Sequence, residues 1–170
     1  KRILGPGVYW LGFREQAERY TVTTPLYPGD WTEVLVKQAP DEFTLVETGD
    51  TEVAIIRQDG KIASVQPPAK RALYWKALVR IDAEVIDARA QPEVPAAALP
   101  GVLRLGIGAS QATFAAVDEG RTGLLFIDNR FVRSLGAGTY GFWNASGTPR
   151  VEVTDQRLQP VEIAGQEILT

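Results

Sequence analysis

The sequence predicts a mainly β protein made of three duplicated β-hairpin or short-sheet units with little helix. Three observations predict this class. One phrase recurs along the 170 residues, short apolar or alternating runs lie between its copies, and Gly, Pro, Asn or Asp separates most of those runs. Strict alternation indicates a strand with one buried face, and clustered turn residues indicate hairpins. Self-similarity at a regular period is typical of a duplicated structural unit.

The repeat is anchored on three tryptophans that stand at the same place in each copy. The spacing between them is 65 and then 68 residues, and LGPGVYW near the start matches LGAGTYGFW near the end. With Trp75 placed on Trp143, two further pairs of segments match. They are EVIDAR at 84–89 with EVTDQR at 152–157, and VETGDT at 46–51 with VDEGRT at 117–122.

Each copy is predicted to follow one order of elements. A short apolar strand, EVAIIR or TGLLFI, leads into a turn at Asp59-Gly60 or Asp128-Asn129. These residue types readily take the positive φ that a two-residue hairpin turn needs. A return strand follows, then a Gly- or Pro-rich corner, an aromatic strand that ends at the Trp, and an alternating strand such as RIDAEVID at 80–87.

Two sets of residues are predicted to have structural roles. Aromatic residues at the recurring positions are expected to fill the core of each unit, because packing explains a large side chain at the same place in every copy. Glycines at turns and corners are expected to supply backbone conformations that other residues resist. The aromatic set is Trp10, Trp75, Trp143, Tyr9, Tyr74 and Tyr140, and the turn and corner set is Gly5, Gly7, Gly60, Gly136 and Gly138.

Four segments are expected along the chain. They are a partial first repeat (1–45), a second repeat (46–94), a linker with a short helix (95–115), and a third repeat that begins the last domain (116–170). The strongest helical pattern is PAAAL at 95–99, and Pro100-Gly101 is expected to break it.

The composition excludes several classes of function. The chain has no Cys and no His, which removes cysteine nucleophiles, disulfides, Ser-His-Asp triads and the usual transition-metal ligands. A net charge of −3 argues against a nucleic-acid partner. Strongly apolar runs fall far short of the roughly 20 residues that a membrane-spanning helix needs. We therefore predict no catalytic residue, cofactor, metal ligand or transmembrane segment in this chain. Because it starts at Lys1 and not at Met, we expect the full-length protein to be longer.

Two other classes of function stay open. A hydrolase or a hard-cation site would use carboxylates of the alternating strands, although a solvated strand face explains them more simply. A small-ligand or peptide-binding β module would use aromatic rings, with Trp31, which lies outside the repeat position, the freest to be exposed. Ser110 lacks both a His partner and the Gly-x-Ser-x-Gly turn of a nucleophile. The carboxylates concerned are Asp82, Glu84, Asp87, Glu152 and Asp155.

Four segments of the third copy carry a resemblance to a known family. They are VDEGRTGLLFI at 117–127, VRSLGAGTYGFW at 132–143, VEVTDQR at 151–157 and EIAGQEILT at 162–170. Together they resemble the first strands of the SPFH (band 7) domain of stomatin- and prohibitin-like proteins, in its bacterial slipin form. Ala137 stands where the family usually has Pro, and the two earlier copies match more weakly.

The resemblance implies a non-catalytic scaffold or assembly module. Proteins of this family form large membrane-associated homo-oligomers that organise or regulate membrane proteins, among them proteases. The resemblance implies that the partners of this chain are further copies of itself and membrane proteins or a membrane protease. It also implies a cytoplasmic protein that is membrane-associated at full length. Exposed strand edges are the contact surfaces we expect, because unpaired edges invite strand addition.

Overall fold

The structure is a computed structural model that describes residues 4, 8–17, 24–27 and 33–155. Within these residues lie ten β-strands and two short helices, which confirms the mainly β fold. The helices are α1 (Glu33–Gln38) and α2 (Leu99–Leu105). The strands are β1 (Phe43–Glu47), β2 (Glu52–Gln58), β3 (Lys61–Gln66), β4 (Arg71–Trp75), β5 (Ile81–Asp87), β6 (Ala112–Val117), β7 (Arg121–Ile127), β8 (Arg130–Leu135), β9 (Gly138–Trp143) and β10 (Pro149–Asp155).

The ten strands form two units with the same connectivity, unit A (residues 25–88) and unit B (residues 92–155). In each unit the first strand pairs antiparallel with the fourth, as β1 with β4 and β6 with β9. The second strand pairs antiparallel with the third and the fifth, which gives the sheets β3-β2-β5 and β8-β7-β10. The second and third copies of the repeat are therefore two copies of one five-stranded fold.

A short leading segment precedes the helix of each unit and pairs with the aromatic strand. It comprises residues 25–27 in unit A and residues 92–94 in unit B. The hydrogen bonds are equivalent: Trp75 N to Pro25 O and Tyr27 N to Leu73 O in unit A, Trp143 N to Pro92 O and Val94 N to Gly141 O in unit B, all at 2.8 Å. The repeat therefore begins at the leading segment, before residue 46 in unit A and before residue 95 in unit B.

Helix α2 runs through the place where a break was expected. Pro100 lies in its first turn, where the missing N–H has no intrahelical acceptor to lose. The helix ends at Gly106, whose φ of 62° is left-handed and whose N–H donates to Leu103 O. The segment 95–115 thus belongs to unit B, as its helix and the start of β6.

The pairing of the strands corrects one part of the sequence alignment. Glu52 pairs with Asp87 in unit A, and Arg121 pairs with Asp155 in unit B. Since EVIDAR falls on EVTDQR, Arg121 is the equivalent of Glu52. Placing VETGDT on VDEGRT was therefore wrong by two residues, because the register of the sheet, and not a few shared letters, decides which residues are equivalent.

The two hairpin turns take the geometry that their residues predict. Asp59 and Gly60 have φ angles of 49° and 79°, and Asp128 and Asn129 have φ angles of 51° and 63°. Positive φ at both central residues defines the type I′ turn, whose twist matches that of the strands. A register shift follows in both hairpins at equivalent places, between Ile56/Arg57 and between Leu125/Phe126.

The repeated aromatic residues have different burial in the three copies. Trp75, Tyr74 and Trp143 are buried at 9%, 6% and 1% exposure, and Tyr140 is half-buried. Trp10 and Tyr9 are 94% and 45% exposed, so their assignment to the core was wrong. Residues 8–17 form no strand. Trp75 and Trp143 are buried because each lies on a paired strand that a helix covers. Similarity of the sequence around Trp10 does not by itself provide a paired strand or a covering helix.

The corner glycines also differ in whether the backbone conformation requires glycine. Gly138 opens β9 with a φ of 151°, a conformation that favours glycine. A Cβ at Gly136 would meet no atom within 4 Å, so no close approach requires glycine there. The equivalent corner of unit A has Ala69 at a φ of 53°. Gly5 and Gly7 lie outside the described residues, as do residues 156–170 of the third repeat.

Candidate functional site

Helix α2 of unit B packs on the sheet of unit A, and this contact joins the two units. A Cβ built on Gly101 would lie 2.6 Å from Ile62 Cδ1 and 3.2 Å from Ile62 Cβ, so the helix backbone lies directly on β3. One buried apolar cluster contains side chains of both units. They are Val53, Ile55, Val65, Ile86 and Ala88 from unit A, with Val94, Ala98, Val102, Ala112 and Trp143 from unit B.

The sheet of unit B presents the face equivalent to the one that α2 covers in unit A. In unit A the residues of this outer face are Val53, Ile55, Val65 and Ile86, all at or below 8% exposure. The pairing of the strands makes their equivalents Thr122, Leu124, Ser134 and Thr154. Thr122 and Leu124 are half-buried, and Ser134 and Thr154 are exposed. Exchange of Val and Ile for Thr and Ser suits a face that meets solvent.

Apolar side chains remain at one end of this outer face, beside the β7–β8 hairpin. Phe131 is 58% exposed and Val132 is 48% exposed. The rings of Phe126 and Phe131 meet edge to face with centroids 5.9 Å apart. The Arg150 guanidinium lies 4.8 Å from the centroid of the Phe126 ring, which is a cation–π contact. With the half-buried Leu124, these four apolar residues form what we call the β7–β8 patch.

Charged residues border the β7–β8 patch on both neighbouring strands. On the face of the patch, Arg150 of β10 forms an ion pair with Glu152. Arg133 of β8 pairs across the sheet with the buried Leu125, so its ion pair with Glu93 lies on the opposite face. Arg130 of β8 is exposed beside Phe131. Exposed ion pairs of this kind contribute about 0–1 kcal/mol each. The border therefore keeps the patch hydrated at its rim and adds little to the stability of unit B.

The carboxylates that were candidates for acid–base or metal chemistry have structural partners. One ion pair joins β2 to β5 across the sheet, and another joins two residues of β10 that are two positions apart. In residues 4, 8–17, 24–27 and 33–155 no three His, Cys, Asp or Glu side chains cluster as metal ligands would. The partners are Arg57 for Glu84 at 2.7 Å, Arg80 for Asp82 at 3.1 Å, the Thr51 hydroxyl for Asp87 at 3.1 Å, and Arg150 for Glu152.

Strand β5 buries a different residue from those expected. The alternation predicted Ile81, Ala83 and Val85 on the buried face, yet Ala83 is exposed and Val85 is 46% exposed. Ile86, on the opposite face, is 5% exposed because α2 of unit B packs there. The prediction was wrong for Ala83 and Val85, and the face opposite them was wrongly expected to meet solvent. Ile86 is buried there because its cover comes from another unit, which the pattern of one strand does not record.

Two further candidates from the sequence lie away from the β7–β8 patch. Ser110 lines a cleft of about 220 Å³ together with Asp50, Gln111 and Asn144. This cleft lies where loops of the two units meet, and its polar groups are side chains of surface loops. Trp31, the aromatic residue thought freest to bind a ligand, lies outside the described residues.

The β7–β8 patch was not among the residues singled out in the sequence. A signal for it existed, because RFVRSL and KIASVQ are equivalent strands and Phe131 therefore takes the place of Ile62. Recognising its importance required the knowledge that a helix of the next unit covers Ile62. That contact joins residues far apart in the chain.

These features define the chain as an all-β tandem-repeat protein whose units are joined by a helix laid on a sheet. Neither helix of the described part is long and apolar enough to cross a membrane. Comparison of the chain with protein-family models, with curated proteins and with solved structures finds no match.

Proposed function

We propose that this chain is a non-catalytic scaffold module of a slipin-like SPFH protein, which assembles with copies of itself and organises membrane proteins. The observation that carries the proposal is the repeat. Two copies of one fold join through a helix-on-sheet contact, and no helix of the described residues covers the equivalent outer face of unit B. Repeat proteins stack in this way, each unit burying a face that it cannot bury alone.

The resemblance of residues 117–170 to the SPFH domain supports the membrane part of the proposal. The resemblance implies a cytoplasmic protein that is membrane-associated at full length. It also implies membrane proteins or a membrane protease as partners. The alternative of a carboxylate-dependent hydrolase is less well supported, because three of the five candidate carboxylates, Asp82, Glu84 and Glu152, form ion pairs with neighbouring arginines on the strand surface. Ion pairs of this kind explain the carboxylates without a reaction.

The proposal is tested by measuring the mass of the chain in solution across a concentration series by light scattering. A scaffold module is expected to rise above its monomer mass of 18.6 kDa as the concentration increases. The rise is expected to reverse on dilution, because an interface completed between molecules follows mass action. A mass that stays at the monomer value up to millimolar concentration would contradict the proposal.

A further inference from the structure

We infer that the cleft between units A and B binds one lysine side chain, presented by a partner protein. The inference rests on the proposed function in one respect, since a scaffold that organises other proteins has to hold them. It adds the site and the type of residue that the site recognises. No residue that lines the cleft belongs to the β7–β8 patch, so the cleft is a second surface of the molecule.

The size and the depth of the cleft fit a single long side chain. Its volume is about 220 Å³, whereas pockets for drug-sized ligands measure about 300–1,000 Å³. The most buried residues that line it are Val53 and Val65, beside the half-buried Pro67 and Pro68. The deep part of the cleft is therefore apolar. It covers the methylene groups of a lysine, which gain free energy by leaving water while the charged end stays near the rim.

Polar side chains without a partner select the charged end. Asp50, Ser110 and Gln111 all line the cleft. In the part of the chain that the structure describes, none of these side chains has a hydrogen bond or an ion pair. Each offers an oxygen acceptor, and Asp50 adds a carboxylate. An ammonium group is a compact positive charge with three N–H donors, so it matches separate oxygen acceptors that include one carboxylate.

The wall of the cleft from unit A is fixed by a buried polar network. Thr48 and Gln66 are both buried. The Thr48 hydroxyl donates to Pro67 O at 2.7 Å and accepts from Lys70 N at 3.1 Å. Gln66 Nε2 donates to Lys70 O at 3.1 Å. These bonds hold the corner that carries the two prolines of the cleft.

Unit B shows that the fold itself does not need this network. The pairing of the strands makes Val117 and Leu135 the equivalents of Thr48 and Gln66, and both are buried apolar residues. Burial of polar groups costs free energy that burial of apolar groups does not. The polar pair is therefore explained by the position of Pro67 at the cleft and not by the stability of the fold.

The wall from unit B is fixed by Asn144. Its Nδ2 donates to Ala109 O, and its Oδ1 accepts from the Thr113 hydroxyl at 3.0 Å. Its backbone N–H donates to Gln111 O at 2.9 Å. These bonds hold the loop that carries Ser110 and Gln111. Because both walls are fixed before a ligand arrives, little conformational entropy is lost on binding.

The first test is an NMR titration of the monomeric protein, with the side-chain amide of Gln111 and the backbone amides around Asp50 as reporters. The probe is N-acetyl-lysine N-methylamide, and the control is its norleucine analogue, which lacks the ammonium group. We expect the lysine probe to shift these signals with a Kd of about 1 mM or weaker, because one exposed ion pair adds little affinity. Absence of shifts far above that concentration overturns the inference, and so does an equal response to norleucine. Tighter binding of the arginine analogue overturns the assignment to lysine.

The second test separates the cleft from the general negative charge of the chain. Asp50→Asn removes the carboxylate of the cleft, and Glu119→Gln removes an equally exposed carboxylate from the equivalent loop of unit B. We expect Asp50→Asn to weaken binding of the lysine probe by about threefold to fivefold, with Glu119→Gln unchanged from wild type. Equal weakening by both variants overturns the inference, as does wild-type binding by Asp50→Asn.

The site and the assembly function fail in different ways. If the chain associates in light scattering and the lysine probe does not bind, the assembly function stands and only the lysine site is overturned. If the chain stays monomeric and the probe binds as expected, the assembly function fails and the cleft remains a binding site for a lysine side chain.

Discussion

Single residues at equivalent positions of units A and B show how one fold serves two environments. Ile62 is half-buried under the backbone of Gly101, and Phe131, in the equivalent place of unit B, is 58% exposed. Val65 is 8% exposed, and its equivalent Ser134 is exposed. The backbone pairing is the same in both sheets, so these differences in side-chain chemistry report what covers each face and not a difference in fold.

Ionisation of one buried tyrosine makes the stability of unit A depend on pH in the alkaline range. Tyr74 is 6% exposed, and burial raises the pKa of its phenol above the ordinary value, while a hydrogen bond with the Ser64 side chain acts in the opposite direction. A raised pKa means that the folded state holds its proton more tightly than the unfolded state. The stabilisation is therefore complete below the unfolded pKa of about 10 and is lost as the pH rises beyond it.

We expect Tyr74→Phe to reduce the loss of unfolding free energy between about pH 8 and about pH 11. The measurement is urea denaturation of wild type and variant at each pH. Tyr9→Phe, at a residue 45% exposed, is the control for loss of a tyrosine hydroxyl. The explanation is wrong if Tyr74→Phe and wild type lose stability in parallel.

At the scale of elements, α2 is the part on which both units depend. It is seven residues long, too short to be stable alone, so its helical form depends on packing against the two sheets. Its first turn carries Pro100 and its end carries Gly106 in a left-handed conformation. The two ends of the helix are therefore set by residues in and next to it. Its position follows from contacts with β3 and with the β6–β9 pair.

Gly101→Val is expected to destabilise the protein by about 1–3 kcal/mol, because a side chain at this position enters the space of Ile62. Val is a better helix former than Gly, so helix propensity works against the expected loss and cannot cause it. Leu103→Val, on the exposed side of the same helix at 40% exposure, is the matched control. Urea denaturation measures both variants. Equal stability of the two would show that α2 does not lie tightly on β3.

Local features of the elements could be predicted from the sequence, and non-local ones could not. The turns at Asp59-Gly60 and Asp128-Asn129 follow from residue chemistry, and the alignment of β5 with β10 follows from shared letters in one register. The cover over Ile86 depends on a helix of the other unit, and Trp10 is exposed in a segment, residues 8–17, that forms no strand. Neither depends on the residues nearby in the sequence.

At the scale of the whole molecule, the chain is a short array in which one interface is made internally. Helix α2 of unit B covers the sheet of unit A, and the equivalent face of unit B carries the exposed Phe131 beside the half-buried Phe126. Because contacts in such arrays are made only with neighbours, the energetics of one interface inform the next. The β7–β8 patch could not be predicted from the sequence alone, since its importance follows from the internal contact that it resembles.

Hydrogen–deuterium exchange at low and high protein concentration tests this account most directly. On association, amides of β8 are expected to exchange more slowly, because the β7–β8 patch becomes covered by another molecule. β3 is the internal control, since α2 covers it in every molecule and its exchange is expected to stay the same. Exchange in β8 that does not change while the protein associates would contradict the account.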